Sequence, residues 1–72
     1  MTPLTKAKAL VEDNCFELPL KLLAKKTGLS YGVTKQYHQQ NLNLEKSSYM
    51  RVMHLASVYD KLEREAKQHA AK

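Results

Sequence analysis

Seventy-two residues make one small domain, which buries only about 60% of the surface that its unfolded chain exposes. No second domain is left to complete an enzyme's cleft, and no apolar run nears the roughly 18 residues a membrane span requires. Twelve basic against seven acidic side chains give a net charge of +5, which favours an acidic partner.

Thr2-Pro3 reads as a helix start, with Thr as the cap and Pro at the first helical position, where its missing N–H costs nothing. Leu4, Ala7, Leu10 and Val11 recur at helical spacing, so a first helix is expected from Pro3 to about Asn14. Lys6 and Lys8 interrupt the apolar residues there. A signal peptide is therefore not expected. The single cysteine, Cys15, excludes an intramolecular disulfide and is expected as a small buried apolar group near the end of that helix. Together these features point to a reducing bacterial cytoplasm. Phe16 and Leu18 follow in a short connection, placed to anchor the corner in the core.

Pro19 opens a second helix, expected over about 19–27. Leu20, Leu23, Ala24 and Thr27 share its inner face, while Lys21, Lys25 and Lys26 occupy the rest and Leu22 falls on the exposed side. The run Leu23-Ala24-Lys25-Lys26-Thr27-Gly28-Leu29-Ser30 then carries the signs of a helix-turn-helix. Ala24 is small enough for a close helix crossing, and Gly28 can adopt the left-handed backbone of a sharp helix exit. Leu29 plugs the corner, and Ser30 caps a third helix, expected over about 31–40. Tyr37 should face inward with Val33 or Thr34. The polar segment Gln39-Gln40-Asn41-Leu42-Asn43 favours a loop.

From Leu44 to Ala71 there is neither glycine nor proline. Tyr49, Val52, Met53, Leu55, Ala56, Tyr59 and Leu62 form an apolar band wider than one packing stripe. A core packed from two sides is the expectation, with a homodimer seam as the alternative. Asp60/Arg64, Lys61/Glu65 and Glu63/Lys67 have the spacing of helix-supporting ion pairs. A continuous helix here would span roughly 40 Å, more than the roughly 25–30 Å expected of the whole domain. It must break, fray after about Lys67 (leaving 68–72 as a tail), or project. The fold class is all-α: a compact four- to five-helix bundle containing a helix-turn-helix, with a long C-terminal helix and a single domain over 1–72.

Catalysis is not expected. His38, His54 and His69 are far apart and in no recognisable metal pattern; His38 and His54 read as exposed or partly packed helix residues. Cys15 lacks a nearby base, and apolar surroundings raise a thiol pKa. Both glycines, Gly28 and Gly32, belong to the helix-turn-helix, so no glycine-rich loop cradles a phosphate. Glu12-Asp13 reads as a solvated pair on the first helix. No cofactor, metal, membrane or small-molecule ligand is anticipated.

Charge distribution is more telling. Between Leu18 and Leu44 stand Lys21, Lys25, Lys26 and Lys35, with no acid. That window coincides with the helix-turn-helix, and it suits phosphates or an acidic protein surface equally well.

Through LAKKTGLS and the aromatic Tyr37 late in the third helix, the stretch from Leu18 to Tyr59 resembles the Cro/repressor-type (XRE) helix-turn-helix domains of temperate phages. The resemblance implies cytoplasmic transcriptional control, with Tyr31, Gly32, Lys35, Gln36 and Gln39 facing outward on the third helix. On DNA, Lys35, Gln36 and Gln39 would meet base edges, and Lys21, Ser30 and the start of the second helix would hold phosphates. Departures are visible. Leu20 stands where DNA readers of this class commonly carry glutamine, the buried β-branched residue expected midway along the third helix is Thr34 with Val33 displaced one residue onto the flank, and Leu22, Tyr31 and Val33 add apolar area beside the lysines.

In length and in these departures the chain is similar to the modulator-of-repression family of temperate lactococcal phages. That resemblance implies a heterotypic complex in which the helix-turn-helix face covers the DNA-reading domain of the phage repressor. Lys21, Lys25, Tyr31, Val33, Lys35 and Gln36 would be the contacts. Two functions are therefore expected in this order: a modulator that docks on a repressor, then a Cro-like binder of operator DNA, for which a homodimer would match two half-sites.

Overall fold

The hydroxyl of Thr2 accepts the N–H of Thr5 at 3.1 Å, and with Pro3 behind it this cap starts α1, Pro3–Val11. The structure, a computed structural model, describes residues 2–70, with side chains through residue 67. α1 stops three residues before the expected end, because Asn14 turns into the left-handed region with φ 45°. Its side chain then brackets the connection: Nδ2 donates to the Leu18 carbonyl at 2.7 Å, while Oδ1 accepts the Leu18 N–H at 3.0 Å. Phe16 and Leu18 are half-buried against the core, as their placement in the corner predicts. The Phe16 ring sits 5.3 Å from that of Tyr59, tilted by 55°. Cys15 corrects its expectation, since this bracket leaves it exposed, not buried.

α2, Leu20–Thr27, follows Pro19, which flanks the helix and accepts its first backbone bond from the Leu23 N–H at 2.9 Å. Leu23, Ala24 and Thr27 are buried. Gly28 leaves the helix with φ 76° and ψ 6°, a left-handed conformation that a side chain would strain. Ser30 Oγ then accepts the Val33 N–H at 3.2 Å and starts α3, Tyr31–His38. Thr34 and Tyr37 are the buried residues of α3, which places Thr34 at the inward position beside Tyr37. α3 ends two residues short of Gln40. The N–H of Gln40 bonds to the Tyr37 carbonyl at 3.0 Å and that of Asn41 to the Gln36 carbonyl at 2.9 Å, with Gln40 at φ 63°. This is the double bond pattern of a Schellman turn, with glutamine in the place glycine usually holds.

The C-terminal third breaks once. Leu44–Lys46 form a short 3-10 turn capped by Asn43, whose Oδ1 accepts the Glu45 N–H at 2.8 Å. Ser47 is extended, and Ser48 Oγ accepts the Arg51 N–H at 3.2 Å to start α4, Tyr49–Ala70. At 22 residues α4 is about 33 Å long, which fits the 38 Å long axis of the molecule. Its backbone stays helical past Lys67, where fraying was expected to begin; residues 71 and 72 lie outside those described.

α1 packs along α4, and α2 and α3 pack on each other and onto that pair. Ala7, Leu10, Val11, Leu23, Tyr37, Leu44, Leu55 and Leu62 form one core cluster. The fold is thus an all-helical bundle with a helix-turn-helix at α2–α3. Of the wide apolar band on α4, Leu55, Ala56 and Leu62 are buried and Val52 and Tyr59 are half-buried against the core, with α1 and α2 both packed on the helix. Tyr49 and Met53, at the start of the band, are exposed, as is their neighbour Met50. The expected pairs within α4 reduce to Glu63–Lys67 at 3.3 Å, because Asp60 instead accepts Lys6 Nζ across the α1–α4 contact at 2.7 Å.

Candidate interaction surface

α2 and α3 present a polar shoulder because their inner faces are consumed by Leu23, Ala24, Thr27, Thr34 and Tyr37. Of the residues singled out in the sequence, Lys21, Leu22, Lys25, Ser30, Tyr31, Gly32, Lys35, Gln36 and Gln39 are exposed. Leu22 keeps 37% and Tyr31 45% of its surface open, so apolar area does stand among the lysines. Val33 corrects its expectation in part: it is half-buried and packs against the core, and contributes little to the outer face. The hydroxyl of Ser30 is already engaged as the helix cap.

Three hydrogen bonds cross from this shoulder to the rest of the bundle, His54–Thr27, Arg51–Tyr37 and Tyr37–Ser47, and two more extend them. His54 Nε2 donates to the Thr27 carbonyl at 2.6 Å, satisfying an acceptor at the C-terminal end of α2 that has no partner inside the helix. Thr27 Oγ1 donates in turn to the Ala24 carbonyl at 3.1 Å. Beneath α3, Arg51 Nη1 donates to Tyr37 Oη at 3.1 Å, Tyr37 lies 2.7 Å from Ser47 Oγ, and Ser47 Oγ donates to the Asn43 carbonyl at 3.2 Å. Guanidinium only donates and carbonyl only accepts, so the relay has one direction: Tyr37 O–H donates to Ser47. None of these roles was visible in the sequence. His54 and Arg51 carry no motif, and only their spacing along one helix places them under the turn and under Tyr37.

The electrostatics of the shoulder are one-sided. From Leu18 to Tyr59 the only carboxylate is Glu45, against Lys21, Lys25, Lys26, Lys35, Lys46 and Arg51. Glu45 is itself bound to Lys8 Nζ at 2.6 Å, which holds its carboxyl below the ordinary value of 4.5. Among the described residues the ion pairs are Lys6–Asp60, Lys8–Glu45 and Lys67–Glu63, and none involves a cation of the Leu18–Tyr59 stretch. Lys6 and Lys8 of α1 and Lys67 of α4 each meet a carboxylate, whereas the lysines of the shoulder meet none.

Other places offer less. An open pocket of about 180 Å³ is lined by Lys8, Glu12, Gln40, Leu42, Asn43 and Glu45, and contains none of the predicted contact residues. The Cys15 thiol, although exposed, is pushed above its ordinary value of 9.0, first by partial burial and then by Asp13 and Glu63. Among the described residues no three His, Cys, Asp or Glu side chains are grouped to hold a metal ion, and no helix is long and apolar enough to cross a membrane. No protein-family model, curated protein or solved structure matches the chain.

Proposed function

We propose that the chain is a non-enzymatic transcriptional regulator of a temperate-phage lysis–lysogeny switch. Its α2–α3 shoulder docks on the DNA-binding domain of the phage repressor and blocks or alters operator binding. The observation that carries this reading is the composition of the shoulder: Lys21, Lys25 and Lys35 lie exposed without a carboxylate partner, beside exposed Leu22 and Tyr31. Phosphates complement the lysines but leave Leu22 and Tyr31 facing a polar groove. A protein surface with carboxylates around an apolar patch complements both, and aromatic and basic residues are the usual anchors of such contacts. The same charge argument fixes where on the repressor the shoulder lands. A face that itself holds phosphates would repel these lysines, so contact is with an acidic flank of that domain, and operator binding is lost by occlusion.

A second reading, a Cro-like operator binder, is favoured by one feature. Lys35, Gln36 and Gln39 are all exposed along α3, and these side-chain types match guanine and adenine edges in the major groove.

Gel shifts on promoter DNA of the same phage separate the two. The modulator reading expects no shift with this chain alone and loss of the repressor's shift when the chain is added. A sequence-specific shift by the chain alone, steeply weakened by salt, overturns it in favour of the operator binder.

A further inference from the structure

Tyr49 and Met50 are 74% and 77% exposed, and Met53 38%, on the first two turns of α4. Nothing in the fold requires three large apolar side chains to face water there. They stand at the spacing that brings Tyr49 beside Met53 and Met50 beside His54, with Cβ atoms about 5–6 Å apart in each pair. Through its 2.6 Å bond to Thr27, His54 ties this part of α4 to the C-terminal end of α2.

The ledge has a rim of one sign. From Lys46 to Tyr59 the chain carries the cations Lys46 and Arg51 and no carboxylate. The two flanking acids are both occupied, Glu45 by Lys8 at 2.6 Å and Asp60 by Lys6 at 2.7 Å. A second copy meeting it ledge to ledge would bring Lys46 and Arg51 near the same cations, and a phosphate backbone offers the two methionines no apolar counterpart. A protein surface with an apolar centre and carboxylates at its edge fits both features.

We infer that Tyr49, Met50 and Met53 form a second docking ledge, tied to the α2–α3 shoulder through the His54–Thr27 bond, for an acid-rimmed apolar surface on the same protein partner. The inference rests on the modulator reading, and it adds a contact that the helix-turn-helix does not contain. Methionine suits such a ledge because its flexible thioether adapts to an irregular partner.

The test is titration of full-length repressor, encoded by the same phage genome, with wild-type chain and with Met50→Glu, Met53→Glu and Lys35→Glu. Met50 is exposed in the first turn of α4, where an acid favours the helix dipole, so Met50→Glu should keep the wild-type fold, as circular dichroism checks. Either ledge variant should weaken binding by about fivefold or more. Binding by both ledge variants within about fivefold of wild type, with Lys35→Glu inactive, overturns the ledge and leaves the modulator reading standing. No binding by the wild-type chain overturns both. A wild-type dimer in sedimentation that Met50→Glu dissolves, with repressor affinity unchanged, shows that the ledge is a self-interface and overturns the inference as well.

Discussion

His54 Nε2 meets the carbonyl oxygen of Thr27 at 2.6 Å, so a side chain of α4 closes the last turn of α2 where Gly28 swings into the left-handed region. A carbonyl at a helix end has no partner within its own helix. Here it receives one from a different element, and the bond ties the orientation of the shoulder to the α1–α4 pair. The carbonyl fixes the ring as an Nε2–H donor. His54→Ala should cost about 1 kcal/mol of stability, the net worth of one well-formed hydrogen bond. Under the modulator reading it should also weaken repressor binding, although His54 itself need not touch the partner. Urea unfolding followed by circular dichroism reads the first effect, and repressor titration the second. Unchanged stability would show that the contact does not hold the turn.

Tyr37 does two jobs with one side chain. Its ring fills the core at 1% exposure, and its hydroxyl links Arg51 to Ser47. Tyr37→Phe keeps the ring and removes the link, leaving Arg51 and Ser47 each without that partner. The expected loss is about 1–2 kcal/mol. A double-mutant cycle with Ser47→Ala should return a coupling well above zero, because the two groups share one relay.

How much of this was legible follows from what carries each feature. The α2–Gly28–α3 unit was readable because a glycine, a capping serine and a small alanine each answer a local demand of the turn. The ends of α1 and α3 were not, because Asn14 and Gln40 take the left-handed positions that a reader assigns to glycine. The break at Ser47–Ser48 has the same character: serine caps α4 through its hydroxyl, with no proline or glycine to announce it. The outward residues of α2 follow from periodicity, whereas those of α3 were implied by the resemblance to repressor-type helix-turn-helix domains. The ledge was missed because Tyr49 and Met53 belong to the same apolar band as Leu55 and Leu62, and periodicity cannot tell which edge of a wide band will lack a cover.

The Lys8–Glu45 pair makes a pH prediction. Lys8 holds the Glu45 carboxyl below 4.5, and Glu45 holds the Lys8 ammonium above 10.5. The acid's contribution to stability is present above its unfolded value and disappears as pH falls through the lowered folded value. The base's contribution is present below its unfolded value and disappears as pH rises through the raised one. Both groups are exposed to solvent, so the effect is small. Glu45→Gln should lower Tm slightly at pH 7, and the difference should vanish as pH falls towards the acid limit. Thermal melts from pH 7 downward check this; a difference that persists at the acid end would assign the loss to the Asn43–Lys46 turn itself.

Leu22 separates docking from folding better than Val33 does. Val33 packs against the core, so an acid there damages the fold together with the surface. Leu22 is exposed on α2, and Leu22→Asp should stay within about 0.5 kcal/mol of wild-type stability. Under the modulator reading it should weaken repressor binding by about tenfold, since it removes apolar contact and turns the local charge against an acidic partner. Lys35→Glu should abolish binding under either reading. A Leu22→Asp chain that binds repressor like wild type would remove the shoulder's apolar component and return weight to operator binding.

Gly32 yields the sharpest contrast between stability and recognition. It sits in the first turn of α3, with a negative φ, and a Cβ added there would meet nothing within 4 Å. The fold therefore does not need a glycine at this position, and alanine, the better helix former, should stabilise α3 by about 0.5 kcal/mol. Under the modulator reading, the open backbone there lets the repressor approach closely. Gly32→Ala should then raise Tm while lowering repressor affinity, a combination that no folding defect can produce. If the variant gains stability and binds as before, the first turn of α3 lies outside the contact, and docking runs instead through α2 and the start of α4.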